Sequence, residues 1–445
     1  MLNILRKNAE GKSSGGESAA RRHIFIALAI VLMAFGAKTT FSRIHADSPR
    51  YQHHDFDWYY TWGAEYSAGE ALWTPTVASG EVRPGLARMP YCNYTPFAVK
   101  TMAWLARLPQ QTAHIIWLYL QAASLMLAIW LLARSFEPAL NLPATLVIIS
   151  LGLFSQSFRQ LLFYSQFASL LLLGVAGAWL AMRRRQPAIA GFCLAFVTLL
   201  KLYPGILAGY LIMRRRWREL GWMTAFFACG IVATNVKDWI AFARFVASPS
   251  RPLEHILTGP MMTSRASLWS FAHSATSWLN HGSSSSPWAI LLFSSVVGAG
   301  VLTVLIMTTL HTIDSEPNTD GLVFGLWIAS GLIFSPLSWM HEFPLLIPAY
   351  MFAGALGYET IRRGWPPTRR FALVAGIVML GVCIFPELIH QLPLLRPPYL
   401  VPLAVLIGGA LMLEARRNPG PIVTGSSKMN HAMRLEYEPR AGQRS

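Results

Sequence analysis

Two carboxylates and two imidazoles stand together in His53-His54-Asp55-Phe56-Asp57-Trp58-Tyr59-Tyr60, just after the first long apolar run of the chain. Burial against Trp58 and Tyr59 would penalise the charged form of a carboxylate and raise its pKa. Asp55 or Asp57 could then serve as a general base, taking the proton of an attacking hydroxyl. On a helix the two side chains would diverge, and on an extended segment they would share a face. The competing reading is Asp55 as a solvated N-cap. The cluster could also bind a divalent cation, but adjacent histidines in a loop are commonly only polar loop residues.

A second group is Ser335-Pro336-Leu337-Ser338-Trp339-Met340-His341-Glu342, at a break between two apolar segments. Ionisable groups at membrane depth are expensive, which makes His341 and Glu342 functional candidates. An ordinary interfacial turn, with Ser338 as N-cap, is the alternative. A helix N-terminus there would also favour a phosphate. Lys201 lies between two short apolar segments, before Tyr203-Pro204. It could snorkel to lipid headgroups or pair with a ligand phosphate inside a broken-helix cavity. Gln166 could bind a sugar or tie helices together, and Arg159 could meet a phosphate near the same surface. Asn93-Tyr94-Thr95 matches a glycosylation sequon, a match expected by chance in this length.

These groups need scaffold, and most of the chain is apolar. It has 445 residues, 53% hydrophobic and only 13% charged, with a net charge of +16. A soluble domain is about 25% charged, so we read an all-α polytopic membrane protein. The positive charge does not mark a nucleic-acid partner. It falls in short runs beside apolar segments: Arg21-Arg22, Arg183-Arg184-Arg185, Arg214-Arg215-Arg216, Arg362-Arg363, Arg369-Arg370 and Arg416-Arg417. That is the positive-inside pattern. It predicts about twelve spans, both termini cytoplasmic, and polar outer loops at 42–94 and 235–287. Residues 1–20 and 418–445 read as disordered cytoplasmic tails around a membrane domain, 21–417. Among the expected spans are Leu142 to Phe158, Leu161 to Met182, Met340 to Ile361 and Phe371 to Phe385. Aromatics from Phe56 to Leu72 suit an interfacial helix, and Pro96 to Leu108 is too short to span. The four cysteines have neither metal nor redox spacing,. No internal repeat is evident.

Several motifs occur in order: Asp55 with Tyr59, Gly69 and Trp73; Asn93-Tyr94-Thr95-Pro96; Ser165-Gln166; Lys201-Leu202-Tyr203-Pro204; Arg265-Ala266-Ser267-Leu268; and Ser335-Pro336-Leu337-Ser338-Trp339-Met340-His341. Together they resemble glycosyltransferase family 87 from about Ile24 to Leu413. The resemblance implies a GT-C membrane fold, with interfacial helices in the first outer loop. It also implies a polyprenyl-phosphate sugar donor, usually mannose, and inversion at the anomeric carbon. The family's catalytic aspartate maps onto Asp55 and its histidine onto His341. By position Lys201, with Arg159 and Tyr94, would hold the donor phosphate; Asp57, Tyr59, Gln166, Ser338, Trp339 and Glu342 would line the substrates. The chain departs from the family where His-His becomes His341-Glu342, and where Gly-Gln-x-Asn becomes Ser165-Gln166-Phe167-Ala168.

The physical reading is compatible. A lipid donor explains why the sequence carries no Gly-rich phosphate loop and no dinucleotide fingerprint. Inverting transfer needs one base and a stabilised leaving group. A phosphoester leaving group makes a metal dispensable, and no cofactor is expected. The expected partners are the lipid-linked donor, a lipid or glycan acceptor, and membrane lipids at the plasma membrane, with chemistry on its outer side. The alternative is a lipid or sugar transporter or flippase. Paired ionisable groups deep in several spans would favour it, and the sequence does not display them.

Overall fold

Proline sets where many of the helices begin. It occupies a first-turn position at Pro96, Pro143, Pro187, Pro204 and Pro317, where its missing N–H is no loss and its φ suits a helix. The computed structural model describes residues 15–46, 55–73, 92, 94–247, 267–279, 287–312, 316–335, 338–362 and 400–417. In chain order the α-helices are α1 (Gly15–Ala46), α2 (Asp55–Ser67), α3 (Pro96–Leu105), α4 (Gln110–Ser135), α5 (Leu142–Phe154), α6 (Gln156–Tyr164), α7 (Ala168–Arg183) and α8 (Pro187–Leu200). They continue as α9 (Leu207–Met213), α10 (Trp217–Ala233), α11 (Val236–Ala247), α12 (Leu268–Leu279), α13 (Pro287–His311), α14 (Pro317–Phe334), α15 (Ile347–Arg362) and α16 (Leu400–Arg417). Two 3-10 turns, Tyr203–Ile206 and Met340–Leu346, precede α9 and α15. Among the described residues there is no strand.

Gln110–Ser135 and Trp288–His311 are long and apolar enough to cross a membrane alone. The bent pairs α5–α6 (54°) and α10–α11 (100°) reach that measure only together. The outlines differ from expectation in four places. Helix α1 begins at Gly15, inside the expected tail, and ends past the expected loop start at Ser42; a nucleated helix propagates readily through Glu17-Ser18-Ala19-Ala20. The expected span Leu142 to Phe158 breaks at Ser155, whose Oγ donates to Gly152 O (2.7 Å) and accepts from Phe158 N–H. Such local side-chain bonds compete with the helix ladder. Helix α7 starts at Ala168 instead of Leu161. The segment from Met340 opens as a 3-10 turn because Pro344 cannot donate within a regular helix,. The segment 235–287, expected as an outer loop, contains α11 and α12. His53, His54, Asn93, Arg265, Ala266, Pro336, Leu337, the span Phe371 to Phe385 and residues 418–445 lie outside the described residues.

The bundle centre is aromatic. Trp179 stacks on Phe324 with ring centroids 5.0 Å apart, and both are buried. Helices α8 and α10 cross where Gly191 meets Trp222 and Met223; a Cβ there would lie 2.6 Å from Met223 N. Small residues at such crossings let backbones approach closely. Helices α7, α9 and α14 each run between two polar ends. At one end Arg214 pairs with Asp320 (2.8 Å), Tyr210 donates to Asp320 (3.0 Å), and Arg183 pairs with Glu137. No motif in the sequence marks these pairs. They sit at helix ends: Arg183 in the last turn of α7, Arg214 just after α9 and Asp320 in the first turn of α14. The other end carries Gln166, Lys201 and His341.

Candidate functional site

Helix α2 holds Asp55. Its buried stripe Phe56, Tyr59, Trp62 and Gly63 follows helical spacing,. Gly63 lies on the α3 backbone: a Cβ there would be 2.8 Å from Ala103 N. Polar bonds fix the rest of the helix. Tyr60 donates to Leu108 O (2.8 Å), Gln110 donates to Asp57 Oδ1 (2.7 Å), and Tyr66 donates to Asp238 Oδ2 (2.9 Å) on α11. The stretch is helical, so Asp55 and Asp57 diverge: Asp57 meets the start of α4, and Asp55 meets Gln166.

Gln166 reaches Asp55 because Ser165 adopts a left-handed conformation (φ 52) between α6 and α7. Two α4 side chains hold that turn: His114 Nε2 bonds Ser165 Oγ (2.9 Å) and Trp117 Nε1 donates to Ser165 O (2.7 Å). The Gln166 amide is buried, at 2% exposure. Its Nε2 donates to Asp55 Oδ2. Its Oε1 accepts from Tyr94 (3.1 Å) and from Lys201 Nζ (3.3 Å). Tyr94 has one hydrogen, already given to Gln166, so the 2.6 Å contact with Tyr59 is donated by Tyr59,.

Tyr94 and Lys201 are brought together by Thr95. As N-cap of α3 it accepts from Ala98 N–H (3.2 Å), and its hydroxyl donates to Leu199 O at the end of α8. Lys201 leaves the helix in an extended conformation before Pro204, with its ammonium 5.5 Å from the Tyr94 ring centre. It then pairs with Glu342. Tyr203 donates to the second Glu342 oxygen (2.5 Å), and His341 Nε2 stands 3.6 Å from Oε1. His341 lies between Trp339, stacked at 6.4 Å, and Tyr164 at 5.6 Å. A continuous path therefore runs Asp55–Gln166–Lys201–Glu342–His341 across α2, the α6–α7 turn, the α8 end and the second 3-10 turn.

Burial pushes the Asp55 carboxyl up from 3.8 to about 6, against the lowering effects of nearby Lys201 and the Gln166 hydrogen bond,. Burial likewise raises Tyr94 to about 12 and keeps it neutral. Asp55 is thus a carboxylate at neutral pH with a raised basicity, which suits proton abstraction.

The fold brings together Asp55, Tyr59, Tyr94, Gln166, Lys201, His341 and Glu342. Arg159 stands on α6, which packs against the turn bearing His341. Ser338 is buried and its hydroxyl has no hydrogen-bond partner among the described residues. Sequence reasoning missed Tyr203, Tyr164, Thr95, His114 and Trp117, which position the others. A Thr-Pro helix start and a Tyr-Pro break were the available signals for Thr95 and Tyr203. Beside Lys201, a cavity of about 310 Å³ is lined by Leu202 and by Trp239, Phe242, Ala243, Val246 and Ala247 of α11.

The family model described as glycosyltransferase family 87 matches residues 91–336. The chain is also similar, at 24% identity over 271 residues, to a Mycolicibacterium smegmatis protein named polyprenol-phosphate-mannose-dependent alpha-(1-2)-phosphatidylinositol pentamannoside mannosyltransferase. That match spans 58% of this chain and 60% of the relative.

Proposed function

Because the chain belongs to glycosyltransferase family 87, a family of membrane glycosyltransferases, we propose that it moves a sugar, most simply mannose, from a polyprenyl-phosphate donor to a lipid or glycan acceptor. The observation that carries this reading is the path from Asp55 through Gln166 and Lys201 to His341. It supplies a base and, one amide away, a cation for a phosphate.

In the proposed step the acceptor hydroxyl oxygen attacks the anomeric carbon from the face opposite the phosphate. The new C–O bond forms as the bond to the phosphate oxygen breaks, and its electron pair leaves with the polyprenyl phosphate. Asp55 takes the hydroxyl proton, and configuration inverts. Lys201 has three N–H donors; Glu342 and Gln166 occupy two, leaving one for the leaving phosphate. Arg159 is a second candidate for that phosphate. Glu342, with one oxygen engaged by Lys201 and the other by Tyr203, acts on Lys201 instead of on the sugar. Tyr94 serves Gln166 in the same way. Asp57, Tyr59, Ser338, Trp339 and His341 remain candidates for lining the sugar and acceptor. The isoprenoid tail occupies the apolar cavity, whose Leu202 directly follows Lys201.

In this reading residues 21–417 form one GT-C domain of about twelve spans, on the positive-inside count. Both termini are cytoplasmic and the site faces the outer side of the plasma membrane. The relative's name supports mannose as sugar, polyprenol phosphate as carrier and a glycolipid as acceptor class. The test supplies membranes bearing the full chain with radiolabelled polyprenyl-phosphate-mannose and compares it with Asp55→Asn. Transfer present in the first and lost in a folded second supports the reading. Transfer unchanged in Asp55→Asn removes Asp55 as base, and no transfer by the unaltered chain from any lipid-linked sugar points to transport.

A further inference from the structure

Asp55 has two carboxylate oxygens, and the fold treats them differently. Oδ2 accepts from the Gln166 amide; among the described residues no hydrogen bond engages Oδ1, which is left for the acceptor hydroxyl. The amide cannot be turned round. Its oxygen faces the Lys201 ammonium and the Tyr94 hydroxyl, which both donate, so its NH₂ must face the carboxylate, which only accepts when ionised. The left-handed Ser165 and the bonds from His114 and Trp117 fix the backbone that presents this side chain. A buried amide with its oxygen and nitrogen both engaged, between the base and the nearest cation, does more than join helices.

We propose that Gln166 is the positioning residue of the reaction: it selects which oxygen of Asp55 receives the proton and couples the ionised base to Lys201. The inference rests on the reading of Asp55 as base. The step it serves is the transfer of one proton from the acceptor oxygen to Asp55 Oδ1, while Gln166 keeps its own hydrogens. The charged and titratable groups around the carboxylate are Lys201 after α8, Tyr94 before α3, Tyr59 on α2 and, beyond Lys201, Glu342; Asp57 is turned away, toward Gln110. His114 of α4 stacks on Phe56 at 4.6 Å. Of these, Lys201 favours the ionised base, against the burial that disfavours it. The amide is the neutral contact that favours ionisation by direct donation.

Two variants separate positioning from simple packing. Gln166→Leu removes the donor at similar size. Gln166→Glu keeps the shape and can pair with Lys201, so it preserves the fold, yet it places an acceptor and a like charge against Asp55. Rates of transfer from polyprenyl-phosphate-mannose are measured in proteoliposomes of the full chain from about pH 5 to about pH 9, with Asp55→Asn alongside. The expected result is a fall in kcat of about tenfold to a hundredfold for Gln166→Leu, the scale of one hydrogen bond to a charged group. The acid limb of kcat moves to higher pH, and further in Gln166→Glu. A packing role alone lowers the rate at every pH and leaves the limb in place, and that outcome overturns the proposal. So does a wild-type rate in either variant. If Asp55→Asn keeps transfer and its acid limb, the base assignment fails first and takes this inference with it.

Discussion

Removing the Glu342 carboxylate strands a lysine that the fold has taken largely out of water. The Glu342 side chain is 1% exposed and that of Lys201 is 15%. Breaking such a pair by deleting one partner leaves an uncompensated charge, at about 3–5 kcal/mol. Two features place Glu342→Ala near the lower bound. Gln166 Oε1 remains 3.3 Å from the ammonium, and the partly exposed Lys201 can turn outward. Against this, Tyr203 loses the acceptor of its hydroxyl, which adds about 1 kcal/mol. We therefore expect Glu342→Ala to lose about 3–4 kcal/mol, a shift of more than a hundredfold in the folded-to-unfolded ratio. Glu342→Gln keeps an acceptor for both neighbours and loses about 1–2 kcal/mol. The double variant Lys201→Met/Glu342→Leu removes both charges and replaces them with apolar volume. It should be more stable than Glu342→Ala, because desolvation of the ion pair disappears with it. The assay is reversible unfolding of the purified full chain in mixed micelles, with Tyr203→Phe measured to subtract its hydroxyl. A double variant whose loss equals the sum of the losses of Lys201→Met and Glu342→Leu measured singly would show no coupling, and the pair would then be a contact without energetic weight.

Asp55 links activity and stability in opposite directions. Its folded pKa is raised from 3.8 to about 6, so the stability it contributes is fully present below about 3.8 and lost as pH rises through about 6. Asp55→Asn should therefore abolish transfer yet stabilise the fold at pH 8 by up to about 3 kcal/mol, and not at pH 4, by micelle unfolding at both pH values. The transfer rate of the unaltered chain should fall as pH drops through about 6, because the base protonates; a rate flat from about pH 5 to pH 8 would refute that. Gly63→Ala forces α2 off the α3 backbone, so it should lower unfolding stability by about 1–3 kcal/mol and reduce kcat with it,. Ala243→Trp fills the apolar cavity beside Lys201. It should raise KM several-fold for a long polyprenyl donor and little for a short-chain analogue; equal effects on both would place the tail elsewhere.

The sequence determined the class of this protein through quantities that need no partner across the chain. Apolar runs and the arginines beside them are local signals, and they marked an all-helical membrane protein. Polar residues between the runs marked the breaks at Lys201 and Ser335 and the candidates Asp55, Gln166, Lys201 and His341. Partnership was decided by tertiary structure. Asp55 and Gln166 are far apart in the chain, as are Lys201 and Glu342, and nothing in either neighbourhood encodes the other. The left-handed turn at Ser165 was hidden because a serine there is ordinary in sequence and special only in φ. The same holds for Asp57: by type and neighbours it equals Asp55, and only the helical turn between them sends one to Gln110 and the other to Gln166. Ionisation follows the same division, since a carboxylate's ordinary pKa belongs to its residue type while its shift comes from what the fold packs around it.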